Sequence, residues 1–239
     1  MTRPDSPNLR FPGSHPFKEE AHSAIMKVGV IGSGIVGQVL AAGFLKHGHE
    51  AMLGTRDPRK PEAQKWLGEN ASGQVGTFAE TARFAELAVL ATLGSAAEKA
   101  IALAGPENLA GKVVIDTTNP IAGAPVDGVL PFFTGPNESL GEKVQAAAPR
   151  SHVVKAFNSV GAGQMVNPHY QQGTPTMFLC GNNSDAKAKV EEIVMLFGWG
   201  PFDCGGIAAS RALEPLCMLW CIPGFLRGQW NHAFKVLTK

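Results

Sequence analysis

Gly32, Gly34 and Gly37, with Ser33, Ile35 and Val36 between them, have the G-x-G-x-x-G spacing. That spacing is chemical because each glycine answers a demand of a bound pyrophosphate. The first allows a tight turn, the second lets backbone approach phosphate without a Cβ in the way, and the third lets a helix close onto a strand. The amide-rich, dipole-positive start of that helix then attracts the anion. Lys27 to Ile31 is a short apolar run before the motif, and Val36 to His47 carries apolar residues at helical spacing after it. The context is therefore strand, turn, helix, as a dinucleotide site requires.

A second signal follows the next expected strand, Glu50 to Gly54. An NAD enzyme places a carboxylate there to take the ribose hydroxyls. Here stand Thr55 and Arg56, with Lys60 four residues after Arg56. A guanidinium fork, a hydroxyl and an ammonium suit a 2′-phosphate, which a carboxylate would repel. The expected cofactor is thus NADP(H); the plainer reading is a solvated basic loop, with Arg59 adding charge and Asp57 offsetting it. A third group comprises strand ends: Thr92-Leu93, Thr117-Thr118-Asn119-Pro120 and Asn158-Ser159. Ligands of open parallel sheets bind outside such ends, so these loops are expected at the nicotinamide. Asn119 and Asn158 could bind a carboxamide or simply stabilise turns.

No other constellation stands out. The one tyrosine is Tyr170, and His152 and His169 have no partner at motif spacing, so no catalytic acid or base is assigned. Cys180, Cys204, Cys217 and Cys221 form no CxxC pair and no metal set, and free thiols in a reducing cytoplasm are expected.

The elements that must position these residues follow from periodicity. Apolar runs at Gln74 to Thr77, Glu86 to Ala91, Lys112 to Asp116, His152 to Phe157 and Thr176 to Cys180 read as further strands. Helical stretches at Pro61 to Glu69, Phe78 to Phe84, Ala96 to Leu103, Glu138 to Ala147 and Asp185 to Phe197 alternate with them. This predicts an α/β, Rossmann-type doubly wound, mostly parallel sheet of about eight strands with a short C-terminal helical extension. Residues 1–25 are expected to be a flexible leader, 26–205 the NADP-binding domain and 206–239 a helical segment running to Leu237. The Gly- and Pro-rich stretch Thr117 to Pro136 is expected to line a site.

With 44% hydrophobic and 17% charged residues the chain can build a core, and a net charge of +1 gives no global field toward nucleic acid or an anionic membrane. The most apolar stretch, Leu213 to Leu226, contains Glu214, Pro215, Pro223 and Gly224, so no membrane span is expected.

The segments GSGIVG, LGTRDPRK, DTTNPI, VVKAFNSVGAG, FLCGNNSDAKAKVEEIV and FDCGGIAASRALEPL resemble the family of NADPH-dependent reductases of the 8-hydroxy-5-deazaflavin coenzyme F420. The KAFN and CGN segments also resemble the cytoplasmic oxidoreductase domain of the six-transmembrane metalloreductases. The resemblance runs from Lys27 to about Leu219. It implies a pyrophosphate on the glycine loop, a 2′-phosphate on Thr55, Arg56 and Lys60, and a nicotinamide near Thr92, Leu93, Asn119, Ala156 and Asn158. Where the deazaflavin reductases tend to carry an aromatic residue or histidine, this chain has Gly94 to Ala97, and it has Asn158 in place of a histidine.

The leading expectation is hydride transfer between NADPH and a flavin-like or deazaflavin acceptor stacked on the nicotinamide, in which the cofactors carry the chemistry. The competing readings are an NADP-dependent dehydrogenase of a small carbonyl or imine, which would want a positioned acid, and a non-catalytic NADP(H) sensor. Trp220, Phe225, Trp230 and Phe234 are expected to form a homodimer contact or an acceptor-pocket wall, or alternatively to fold back onto the chain's own core.

Overall fold

The computed structural model describes residues 24–238; the expected leader, apart from Ala24 and Ile25, lies outside the described residues. Eight strands, β1 (Lys27–Ile31), β2 (Glu50–Thr55), β3 (Gln74–Thr77), β4 (Leu87–Leu90), β5 (Val113–Asp116), β6 (His152–Lys155), β7 (Thr176–Gly181) and β8 (Gly200–Asp203), form one sheet in the order β3-β2-β1-β4-β5-β6-β7-β8. Strands β1 to β6 are mutually parallel, β7 runs antiparallel to β6, and β8 is parallel to β7. The order reverses between β1 and β4, which leaves a crevice at their C-terminal ends.

Among the described residues six α-helices connect the strands, α1 (Ile35–Lys46), α2 (Pro61–Glu69), α3 (Phe78–Phe84), α4 (Ala97–Ala104), α5 (Leu140–Ala147) and α6 (Ser184–Leu196), and α7 (Ser210–Arg227) follows β8. Sequence sets their starts. Thr77 and Glu80 make a capping box at α3, and Asn183 accepts the Ala186 N–H at 2.8 Å to open α6.

Alternation along the buried strands sends side chains to both faces of the sheet. Val28, Val30, Val89, Ile115 and Val154 pack with Leu40, Phe44, Trp66, Ile193 and Phe197 of α1, α2, α6 and the turn after α6. Ile31, Leu90, Val114 and Val153 pack with Phe78, Ile101, Leu140 and Val144 of α3, α4 and α5. Both faces of the central strands are therefore dry, which explains their continuous apolar runs. This is the doubly wound Rossmann-type architecture expected.

The C-terminal segment departs from the uninterrupted helix expected to Leu237. Helix α7 stops at Arg227 because Gly228 adopts a left-handed conformation, φ 65°, and its N–H returns to the Gly224 carbonyl at 2.8 Å. The following residues run without helix along the start of β7, where the Phe234 carbonyl accepts the Thr176 N–H at 2.9 Å. Trp220 is buried and stacks on His232, while Phe234 meets Phe178, so part of the aromatic set folds back onto the chain's own core. Phe225 and Trp230 pack edge to face and remain exposed. Of the cysteines, Cys180 and Cys217 are buried, and all four are free.

His49, between α1 and β2, accepts the Met26 N–H on Nδ1 at 3.3 Å, and its buried Nε2 has no partner. Burial, then the neighbouring positive charges of His47 and Lys189, holds its pKa below the ordinary histidine value. The folded state thus disfavours the proton, so stability is full above the unfolded value of about 6.5 and falls as pH drops below it. Urea midpoints at neutral and mildly acidic pH test this: the acid loss should be smaller in His49→Asn than in the parent.

Candidate functional site

A cavity of about 770 Å³ opens at the C-terminal ends of β1, β2, β4 and β5. Its lining includes Gly32, Ser33, Gly34, Ile35 and Val36 from the glycine loop, Thr55, Arg56 and Lys60 from the end of β2, and Thr92, Leu93 and Asn119 from the loops after β4 and β5. Gly32 turns the chain with φ 128°, and its N–H donates to the Gly54 carbonyl at 3.1 Å. Gln38 steadies the loop by donating to the Ser33 carbonyl at 2.9 Å. Helix α1 begins at Gly34 with no side-chain cap and no acidic residue in its first turn, leaving its first amides free for an anion.

The three glycines do separate work. A Cβ on Gly37 would overlap the Gly32 carbonyl oxygen, so that glycine serves the packing of α1 on the turn and does not line the cavity. A Cβ on Gly34 would meet nothing within 4 Å. The space beside Gly34 is open.

At the β2 end, Thr55 is buried and Arg56 exposed. Among the described residues the Arg56 and Lys60 side chains have no hydrogen-bond or ion-pair partner. The nearby carboxylate of Asp57 turns to Arg59, accepting its backbone N–H at 3.0 Å and its Nε at 3.5 Å. The Arg59 backbone bond, foremost, holds the Asp57 carboxyl below its ordinary pKa. Both cations line the cavity with no ion-pair partner among the described residues, although Asp57 lies close enough to feel the charge of Lys60.

At the other end, the Thr92 hydroxyl is buried without a partner. Asn119 Nδ2 donates to the Asn158 carbonyl at 2.8 Å, and Asn158 Nδ2 donates to Asn119 Oδ1 at 3.1 Å and to the Leu213 carbonyl of α7 at 2.8 Å. Asn158, Ala156 and Pro120 are buried and do not line the cavity: they stand behind its wall. By sequence, the strand end puts Asn158 at the nicotinamide, and the family resemblance adds Ala156. The Asn158 amide nitrogen is instead committed to backbone and to Asn119.

Sequence reasoning did not single out Phe78, Lys99, Ala100 and Leu103, which also line the cavity, whereas Ile121, Ala122 and Gly123 belong to the Gly- and Pro-rich stretch expected to line a site. It also missed a cluster beneath the wall. Lys155, buried completely, places Nζ 2.9 Å from Asp116 Oδ2 and 2.9 Å from Glu214 Oε1, and donates to the Thr118 carbonyl at 2.7 Å. Burial works against its charge, but Asp116 and Glu214 outweigh that cost and its pKa lies above the ordinary lysine value. The available signal was a charge inside each of three apolar runs, VVID, VVK and ALEPL.

These residues fit a phosphorylated dinucleotide. The glycine loop leaves open space beside Gly34, the cations are unpaired, and the buried Thr92 hydroxyl lacks a partner. Fold and cavity together define a Rossmann-type nucleotide-binding protein.

Comparison with known proteins narrows the class. Residues 27–120 match the family described as NADP oxidoreductase, coenzyme F420-dependent. A provisionally assigned F420-dependent NADP reductase from Arthrobacter sp. FB24, solved by crystallography, is 35% identical, covers 89% of this chain and 100% of its own, and superposes with a TM-score of 0.83. The metalloreductase STEAP3 of Rattus norvegicus is 29% identical over 84% of this chain and 39% of its own length. The F420-dependent NADP reductase of Methanocaldococcus jannaschii is 30% identical over 47% of this chain and 51% of its own length. The match thus spans about half or less of these two curated relatives. The chain belongs to the family of coenzyme F420-dependent NADP oxidoreductases.

The division of labour among the glycines is measurable. Gly37→Val should lower stability by about 1–3 kcal/mol or more, the range for overpacking a close contact. Gly34→Val should cost no more than about 1 kcal/mol, the scale of replacing a favoured cap residue. Equal shifts in the urea midpoint would contradict the geometry.

Proposed function

We propose that the protein transfers a hydride from NADPH to a flavin or deazaflavin acceptor that stacks on the nicotinamide. The observation that carries this reading is the chemistry of the cavity wall. Among the described residues, the ionisable side chains that line it are the cations Arg56, Lys60 and Lys99. Reduction of a small carbonyl calls for a positioned proton donor, and apart from the two cations assigned to the 2′-phosphate the wall offers one ammonium, Lys99 of α4. A flavin-like ring spreads the incoming electron pair over its own heteroatoms and takes its proton from solvent, so the wall need only orient and exclude water.

In this reading NADPH supplies the hydride when bound. The amides at the start of α1, with Gly32, Ser33, Gly34, Ile35 and Val36, hold the pyrophosphate, while Gly37 keeps the helix close to the turn. Thr55, Arg56 and Lys60 hold the 2′-phosphate. Thr92, Leu93 and Asn119 flank the nicotinamide, with Pro120, Ala156 and Asn158 supporting them from behind. Phe78, Ala100 and Leu103 contribute apolar surface.

A panel assay tests the reading: NADPH oxidation with FMN, FAD, coenzyme F420, and small ketones and cyclic imines. Turnover confined to the flavin and deazaflavin acceptors is expected. Turnover of ketones or imines alone would point to a dehydrogenase, and binding without turnover to a sensor. Arg56→Ala should weaken NADPH by about 1.5–3 kcal/mol, the worth of a charged hydrogen bond, and leave NADH nearly unchanged. Gly34→Val should remain folded and lose both nucleotides.

We propose further that the protein works as a homodimer in the cytoplasm. Free thiols suit a reducing compartment. Leu219, Phe225 and Leu226 of α7 are exposed, and Leu226 lies against Gly128 in the 126–129 turn, where Val126 and Val129 are also exposed. Apolar surface of this kind marks interfaces. Light scattering should give twice the chain mass for the parent and the single mass for Leu226→Glu.

A further inference from the structure

The buried cluster of Lys155, Asp116 and Glu214 takes no part in the hydride transfer proposed above, yet it grips one residue of the cavity wall from every side. Asp116 Oδ1 accepts the Thr118 N–H at 2.9 Å and the Thr118 hydroxyl at 2.6 Å. Lys155 takes the carbonyl of the same residue at 2.7 Å. Thr118, flanked by Thr117 and Asn119, lines the cavity. The next residue is equally constrained: a Cβ on Gly94 would overlap the Asn119 carbonyl, so the two loops lie in direct contact.

The far end of the cluster is anchored in α7. Glu214 Oε1 and Oε2 accept the Gly141 and Leu140 N–H groups at 2.8 and 3.0 Å, closing the N-terminus of α5. One residue earlier, the Leu213 carbonyl accepts from Asn158, which in turn grips Asn119. Two adjacent residues of α7 therefore reach the same stretch of wall by separate routes, one ionic and one through amides. An ion pair without access to water holds its partners far more stiffly than an exposed one, because moving either charge leaves the other unpaired.

We propose that Glu214 and Lys155 are positioning residues through which α7 fixes Thr118 and Asn119, and so sets the alignment of nicotinamide against acceptor. The proposal rests on the reading of the cavity given above. No hydrogen bond or ion pair among the described residues joins the glycine loop or the end of β2 to the cluster, so the effect falls on transfer and not on nucleotide affinity.

The test compares the full-length parent with Glu214→Gln, Thr118→Val and Arg211→Ala. Arg211 ties α7 to α5 on the surface through Glu142, at 2.9 Å from Nε, and serves as a control for loosened helix docking. Without nucleotide, hydrogen exchange of the segment containing 117–119 should quicken by about tenfold in Glu214→Gln, while the glycine loop is unchanged. Arg211→Ala should alter neither. With NADPH, the Kd of Glu214→Gln should stay within about twofold of the parent, while kcat with the active flavin or deazaflavin falls by about tenfold or more, as small misplacements of reacting groups do. The primary isotope effect from 4-deuterated NADPH should change with it. Thr118→Val keeps the side-chain shape and should show smaller changes of the same sign, which decides the matter should Glu214→Gln not fold. Parent-like exchange at 117–119, an equal response in Arg211→Ala, or a parallel loss of affinity and kcat would overturn the proposal. If the parent itself binds no NADPH, the function proposed above fails, and the exchange comparison still decides whether Glu214 holds the wall.

Discussion

A positive charge sits at the centre of this molecule without access to water, and the C-terminal half of the sheet is organised around it. Lys155 is tolerable there because Asp116 on the neighbouring strand and Glu214 on α7 each stand 2.9 Å from its ammonium. Removing Lys155 would leave buried carboxylates without their ammonium, and breaking a buried ion pair in this way costs about 3–5 kcal/mol. Two carboxylates around one ammonium would be unbalanced, but the surplus negative charge is spent on the amides that begin α5 and on Thr118. Strand β5, strand β6, helix α5 and helix α7 are thus held in one arrangement by directional contacts as well as by apolar packing.

The nucleotide cavity consequently has two kinds of wall. The phosphate side is built from neighbours in sequence: a glycine loop, the strand before it, the helix after it and the end of the next strand. Its geometry is set by backbone, through Gly32 at the turn and Gly37 under the helix. The opposite side is assembled from distant segments, with the loop after β5 held by residues of β6, the loop beyond it and α7. On the function proposed, the side set by backbone would hold the cofactor and the side braced by side chains would face the second ligand.

This difference explains what could be read from the chain alone. Spacing revealed the glycine loop, residue type revealed the exposed cations Arg56 and Lys60, and continuous apolar runs revealed both faces of the sheet. Each of those signals is local. Asn158 was legible as a polar residue at a strand end, but which groups its amide would meet depends on α7, whose approach no spacing records. Lys155 and Glu214 were visible as charges among apolar residues, yet their pairing required the fold. The end of α7 at Arg227 was misjudged for a related reason: the aromatic residues beyond it continue a helix-like pattern, while Gly228 and the backbone bond to Thr176 turn the chain aside. Phe78, Lys99 and Leu103 escaped notice because they lie inside helices that periodicity assigns to packing alone.

The stretch shared with the family, 27–120, ends one residue beyond Asn119. It carries the glycine loop, both cations and the whole of the loop tip, and so resembles a portable cassette. Asp116 lies inside that stretch, while its ammonium partner and Glu214 lie outside it. A graft of the cassette onto another sheet would therefore bring a fully buried carboxylate with no counter-charge, and Thr118 would lose its carbonyl partner. In this chain, an exchange that moves β5 without β6 and α7 separates charges that are paired in the fold, whereas one confined to the glycine loop does not.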